Sequence, residues 1–201
     1  MIHALVLLLF LFPPNPAGAQ SAGPPAYSVG DEWTLSIGLT RTVVKVDGDV
    51  TVIRGYSKCP MCLLHVDKNL YILKLEGPDE QAVDSLAVGF VPVGRQWRYW
   101  EFPLEVGKKW TFGADGLVQN NINHYDVAIV VEAYEDIATR AGTFKAFRLR
   151  RDFVIRPVDN RGRGFSWSER TWFAPSAKAA AKLTTTNPNG VDWEITAYTV
   201  K

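Results

Sequence analysis

Reactive and charged side chains are in short supply in this 201-residue chain: it has two cysteines, three histidines and a formal net charge of +1. So balanced a charge gives no broad electrostatic footprint for DNA, RNA or anionic lipid, and no nucleic-acid partner is expected. One histidine, His3, lies in a leader, which leaves His65 and His124 for any imidazole chemistry. There is no Gly-x-Ser-x-Gly, no His-Glu-x-x-His and no phosphate-binding glycine loop, and no carboxylate pair stands out. Neither catalytic residues nor a cofactor are expected. Intrinsic disorder is excluded as well, because 47% of residues are hydrophobic and 12% aromatic.

Long apolar runs are also missing after the first residues. Nine apolar residues, 4–12, are followed by Pro13, Pro14 and Pro16 and by the small pair Ala17 and Ala19. The run is well short of the ~20 residues that span a bilayer, and prolines followed by small residues are the pattern a signal peptidase cleaves. Residues 1–19 therefore read as a signal peptide cut after Ala19, residues 20–28 as a flexible leader, and residues 29–201 as one domain. The product is expected to be exported, periplasmic or extracellular, with no transmembrane segment after signal removal.

From residue 29 onward, short runs rich in Val, Ile, Thr and aromatics recur about every ten residues between Gly, Asp, Asn and Pro. The expected strands cover 32–39, 41–47, 50–56, 63–66, 70–75, 96–102, 109–112, 124–135, 144–156, 164–174, 179–186 and 192–200. Hairpin turns are expected at 47–49, 67–69, 140–143 and 187–190. Alternation places Tyr125, Val127, Ile129 and Val131 on one face, and Phe147, Leu149, Phe153 and Ile155 on another with Arg151 interrupting the series. Phe165, Trp167, Glu169, Thr171 and Phe173 share a face of the following strand. The expected fold is all-β, a single antiparallel barrel or half-barrel with at most one or two short helices, near 78–84 and 176–182. The second of these runs can equally end as strand.

Four phrases, Gly30-Asp31-Glu32-Trp33, residues 103–110 (PLEVGKKW), residues 141–147 (AGTFKAF) and residues 171–175 (TWFAP), resemble those of an exported bacterial domain-of-unknown-function family of mainly antiparallel β proteins. The resemblance spans roughly residues 29–200. It implies an extracytoplasmic β-domain with no catalytic residues to carry over. The Cys-Pro-Met-Cys segment and the arginine-rich hairpin lie outside that pattern.

Three features carry candidate chemistry. Cys59 and Cys62 in an oxidising compartment are expected to be paired, because Pro60 in a type I turn brings the two Cα atoms within ~7 Å. The alternatives are a redox couple tuned by Lys58 and His65, or a soft-metal site of Cys59, Met61, Cys62 and His65. The segment 96–102 places Trp97 and Tyr99 on one face and Arg98, Trp100 and Phe102 on the other, more aromatic surface than a simple core needs. With Trp167, the residues Trp97, Tyr99 and Trp100 are the candidate ligand contacts in a curved sheet. Arg148, Arg150 and Arg170, with Arg161 and Arg163 in a loop, offer an acidic ligand a landing point, unless Asp152 and Glu169 neutralise them across the hairpin. The function expected is a non-catalytic binding or carrier module for a small apolar or amphipathic ligand. An envelope protein partner, or thiol and metal handling at residues 59–65, are the alternatives.

Overall fold

The structure, a computed structural model, describes residues 20–78, 83, 85, 90–94, 97–158 and 164–201. The expected signal peptide, most of the first helix candidate, and Arg161 and Arg163 lie outside the described residues.

The chain is all-β. Its strands are β1 (Ser21–Ala22), β2 (Glu32–Leu35), β3 (Thr40–Asp47), β4 (Val50–Tyr56), β5 (Cys59–Asp67), β6 (Ile72–Glu76) and β7 (Val91–Val93). They continue with β8 (Leu104–Glu105), β9 (Lys109–Val118), β10 (Asn121–Thr139), β11 (Gly142–Pro157), β12 (Phe165–Ala174), β13 (Ala179–Thr185) and β14 (Trp193–Thr199). Twelve of them form one antiparallel sheet in the order β6-β5-β4-β3-β2-β14-β13-β12-β11-β10-β9-β7. The edges β6 and β7 come side by side, so the sheet is a nearly closed barrel. At that seam the Ile72 N–H donates to the Trp97 carbonyl at 3.4 Å.

All four expected hairpin turns are present, and β10–β11 pair from Asn123↔Pro157 to Thr139↔Gly142. Alternation holds along both strands, with Tyr125, Val127, Ile129 and Val131 facing the interior opposite Phe153, Leu149 and their neighbours. A bulge between Val131 and Ala133 leaves Glu132 out of register and turns it outward. β9 runs six residues beyond its expected end, through Gly113, Ala114, Asp115 and Gly116, residues with little strand propensity. Its hairpin to β10 turns on Gln119 and Asn120, both with positive φ, a conformation that two-residue loops favour and glutamine rarely signals.

Three local expectations change. Residues 97–102 form no strand; they run as an irregular segment into the barrel, held by side chains from distant strands. The Trp110 indole donates to the Arg98 carbonyl at 2.9 Å and the Trp97 indole to the Asp115 carbonyl at 2.9 Å. The run after Pro175 is a 3-10 turn, Pro175–Ala177, and then strand, with Lys178 at φ +55° breaking any helix. Residues 20–28, expected to be a flexible leader, carry β1, which pairs with β8, and a buried Ala22. Tyr27 further anchors this segment by donating its hydroxyl to the Lys178 carbonyl at 3.0 Å.

Where the chain enters the barrel, Asp31 is fully buried. It accepts the Ser28 N–H and the Lys201 N–H, both at 2.9 Å, and the Lys178 ammonium at 3.0 Å. Burial alone would raise its carboxyl, but those bonds outweigh it and hold the group below the usual carboxylate range. A folded-state pKa below the unfolded value means the contribution is present above roughly pH 4 and is lost as pH falls through the folded value. Asp31→Asn should therefore lower the urea midpoint at pH 7, and the gap from the parent protein should close on acidification. A gap that is constant from pH 7 to pH 3 would show that the carboxylate charge contributes nothing.

Candidate functional site

Inside the barrel lies a cavity of about 260 Å³, lined by side chains from nine strands and from the irregular segment. Trp33, Tyr56, Tyr99, Trp100, Phe173 and Trp193 give it aromatic walls. Ile53, Leu64, Val66 and Ile72 add aliphatic surface. The volume sits just below the usual range of small-molecule pockets, roughly 300–1,000 Å³, so it suits a compact molecule.

Two arginines and a threonine interrupt that apolar lining. Arg151 takes its place on β11 between Leu149 and Phe153, so the period of two that buries its neighbours buries it as well, to 6% exposure. Arg41 sits on β3 opposite Trp33 of β2. Thr171 on β12 lies opposite Leu149 and Leu183 and is 1% exposed. The Arg151 guanidinium lies 4.6 Å from the Trp100 ring centre and 5.0 Å from that of Tyr99, and that of Arg41 lies 5.8 Å from Trp193. One Arg151 N–H reaches the Tyr99 carbonyl at 3.4 Å. The Nε atoms of both arginines and the Thr171 hydroxyl have no hydrogen-bond partner.

Electrostatically the cavity is cationic. Desolvation pulls both guanidinium pKa values down, opposed for Arg151 by Glu169 and Tyr99 and for Arg41 by Tyr56 and Tyr27. Burial pushes the Tyr56 and Tyr99 phenols up. Glu169 faces Arg151 across the β11–β12 ladder and is raised by burial, partly offset by Arg151 and by the Trp167 indole, which donates to it at 3.2 Å. Among the described residues no carboxylate comes within ion-pair distance of Arg41 or Arg151.

The expected ligand contacts divide. Tyr99 and Trp100 line the cavity, whereas Trp97 and Trp167 belong to the packed interior next to it. Trp97 has no exposed surface and touches Phe90, Tyr99, Phe112 and Tyr125. Trp167 stacks on Phe153 at 4.5 Å with an interplanar angle of 3°. The structure brings Arg148, Arg150 and Arg170 together, but on the outer face, where they border an open groove and are already neutralised. Arg148 pairs with Glu132 at 3.0 Å and Glu135 at 2.9 Å, Arg150 with Asp152 at 3.1 Å, and Arg170 with Glu132 at 3.4 Å. Glu169, an expected partner of these arginines, points inward instead, and the bulged Glu132 takes that role.

Sequence reasoning did not nominate Arg41, Arg151 or Thr171. The signal for Arg151 was present as a cation interrupting a buried face, since arginine is rarely buried without a partner.

Cys59 and Cys62 are joined by a disulfide with their Cα atoms 5.4 Å apart. The turn falls before them, at Ser57 and Lys58, and the pair clips a bulge in β5. Opposite Arg54–Tyr56 of β4, where one residue intervenes, β5 places Pro60, Met61 and Cys62 between Cys59 and Leu63. Cys62 is buried, and the neighbouring His65 is engaged by Glu76 at 2.6 Å. His124, the other histidine, is held by Asp115 at 2.7 Å. Among the described residues no group of three His, Cys, Asp or Glu side chains converges as a metal site, and no helix is long and apolar enough to cross a membrane.

No protein-family model and no curated protein matches the chain. Solved structures do share its architecture. A protein of Parabacteroides distasonis ATCC 8503 described as a lipoprotein superposes with a TM-score of 0.51 at 10% identity, over 90% of this chain and 100% of its own. An exported protein of Bacteroides fragilis NCTC 9343, described as having a YmcC-like fold, also gives 0.51, at 12% identity over 90% and 100%. At such identity the likeness is one of fold alone.

Proposed function

We propose that this protein is an exported, non-catalytic binding module whose barrel interior holds one small amphipathic molecule. The observation that carries the reading is the interior cavity of about 260 Å³ walled by aromatic rings. A core built only for stability packs to the density of an organic crystal, with few voids larger than a water. At ~30 Å³ per water-sized share, this one has room for roughly nine. Apolar walls with a few fixed polar groups are the usual anatomy of a small-molecule site. The N-terminal sequence supports export, and the fold shared with a lipoprotein and an exported protein agrees with that setting.

Trp33, Trp100 and Trp193 line the cavity and give the test its signal. Titrating the protein with straight-chain acids and alcohols of six to ten carbons should give a saturable change in tryptophan emission at one equivalent. A phospholipid is too large to enter and should give none. Flat emission across the short-chain panel would refute the reading.

A further inference from the structure

We infer that the cavity is an oxyanion site, in which Arg41, Arg151 and Thr171 receive the head group of a compact amphipathic carboxylate or phosphate ester. The inference rests on the cavity-binding reading and adds the chemical class of its ligand.

The arginines of β11 differ sharply between its two faces. Arg148 and Arg150, on the outer side of β11, are each met by a carboxylate at 2.9–3.1 Å. Arg151, pointing the other way and 94% withdrawn from solvent, is met by none among the described residues. What surrounds it instead are rings. Tyr99 and Trp100 take the guanidinium over their faces, as Trp193 does for Arg41. A ring face attracts the charge without occupying an N–H donor, so the planar fork stays available for a bidentate partner. Of the donors, both Nε–H groups and the Thr171 hydroxyl are buried and unsatisfied. Buried polar groups are almost always paired in folded proteins, and three orphans lining one cavity ask for a partner that supplies several acceptors at once.

Glu169 is the natural candidate for an internal counter-ion, and the geometry removes it. It sits opposite Arg151 in the ladder, yet its carboxylate takes the Trp167 indole N–H and stays outside ion-pair distance of the guanidinium. Two cations against one carboxylate leave the interior net positive, which favours an anion over a neutral guest. The cavity volume of about 260 Å³ then sets the body of the ligand at roughly nine heavy atoms, taking ~30 Å³ per water-sized share.

The test compares octanoate, octyl phosphate and octan-1-ol, three probes of one chain length, by titration calorimetry on the intact protein, its Arg41→Gln and Arg151→Gln variants, and Arg150→Gln as an outer-face control. At least one anion should bind the parent protein tenfold or more tightly than the alcohol. That advantage should fall at least tenfold in Arg41→Gln and Arg151→Gln, with the alcohol unaffected, and should persist in Arg150→Gln. Octanoate outranking octyl phosphate assigns the head group as a carboxylate, and the reverse order assigns a phosphate ester. Equal affinity for alcohol and anions in the parent protein overturns the oxyanion site while leaving cavity binding intact, whether or not the variants fold. An anion preference that survives both inner substitutions overturns it too. If none of the three binds, the inference falls together with the reading beneath it.

Discussion

Trp97→Ala is expected to lower the unfolding free energy by about 3–5 kcal/mol, the range for emptying a large aromatic site in a close-packed core. Trp97 is fully buried although no strand carries it. Its ring centre lies 4.9 Å from Phe90, 5.1 Å from Tyr125, 5.5 Å from Tyr99 and 5.9 Å from Phe112. It thereby joins the irregular segment to β9 and β10. The indole also donates to the Asp115 carbonyl, a hydrogen bond that truncation removes. Trp97→Phe keeps a ring and loses the donor, so its cost should be smaller, about 1–3 kcal/mol. Urea denaturation of the two variants separates packing from hydrogen bonding. A cost below 1 kcal/mol for alanine would mean that the neighbouring rings close over the gap and that Trp97 does not organise the segment. Tyr99 is its neighbour in sequence and in space, so the same variant should also loosen the cavity wall and weaken octanoate binding.

That a residue in an unpaired stretch organises the interior marks where the sequence stopped being legible. β10, β11 and β12 could be read because their information is local: each second residue from Tyr125 to Val131 is apolar, and the sheet buries that face. The segment at 97–102 has the same aromatic richness and the same apparent alternation, and reads as another strand. What fixes it is the Trp110 indole on the Arg98 carbonyl and Arg151 reaching the Tyr99 carbonyl, partners 12 and 52 residues away. No window along the chain contains them. The candidate site was half legible for a related reason. Tyr99 and Trp100 could be named as surplus rings, and Arg151 could be seen to break a buried series. Arg41 gave no warning, because a cation near the start of a short strand is indistinguishable from surface until the barrel closes around it. The outer arginines stand out in the sequence because they are many. Their number reflects a neutral network with Glu132, Glu135 and Asp152, and a local count of cations does not reveal which face has its counter-ions.

Gly55→Ala should be the most damaging single-methyl change in the protein, costing at least about 3 kcal/mol through combined backbone strain and steric clash. Gly55 has φ +100° and sits in β4 opposite the disulfide-clipped bulge of β5. A Cβ there would lie 2.2 Å from the Thr40 carbonyl oxygen and 3.3 Å from the Arg41 Cα. A flexible side chain could move aside, but a ladder carbonyl cannot shift without carrying β3 with it. Gly48→Ala at the β3–β4 turn is the matched control, with φ +56° and nothing within 4 Å of the added methyl. It bears only the left-handed backbone penalty, about 1–2 kcal/mol. A Gly55 cost no greater than that of Gly48 would show that β3 yields freely. Because the clash falls on the peptide that sets the Arg41 backbone, the fraction of Gly55→Ala that remains folded should also lose anion affinity relative to Gly48→Ala, with the alcohol probe changed less. One methyl group placed on the strand behind Arg41 thus links the stability of the bulged edge to the charge the barrel presents to its ligand, and octanoate and octan-1-ol measured side by side on the two glycine variants read that link directly.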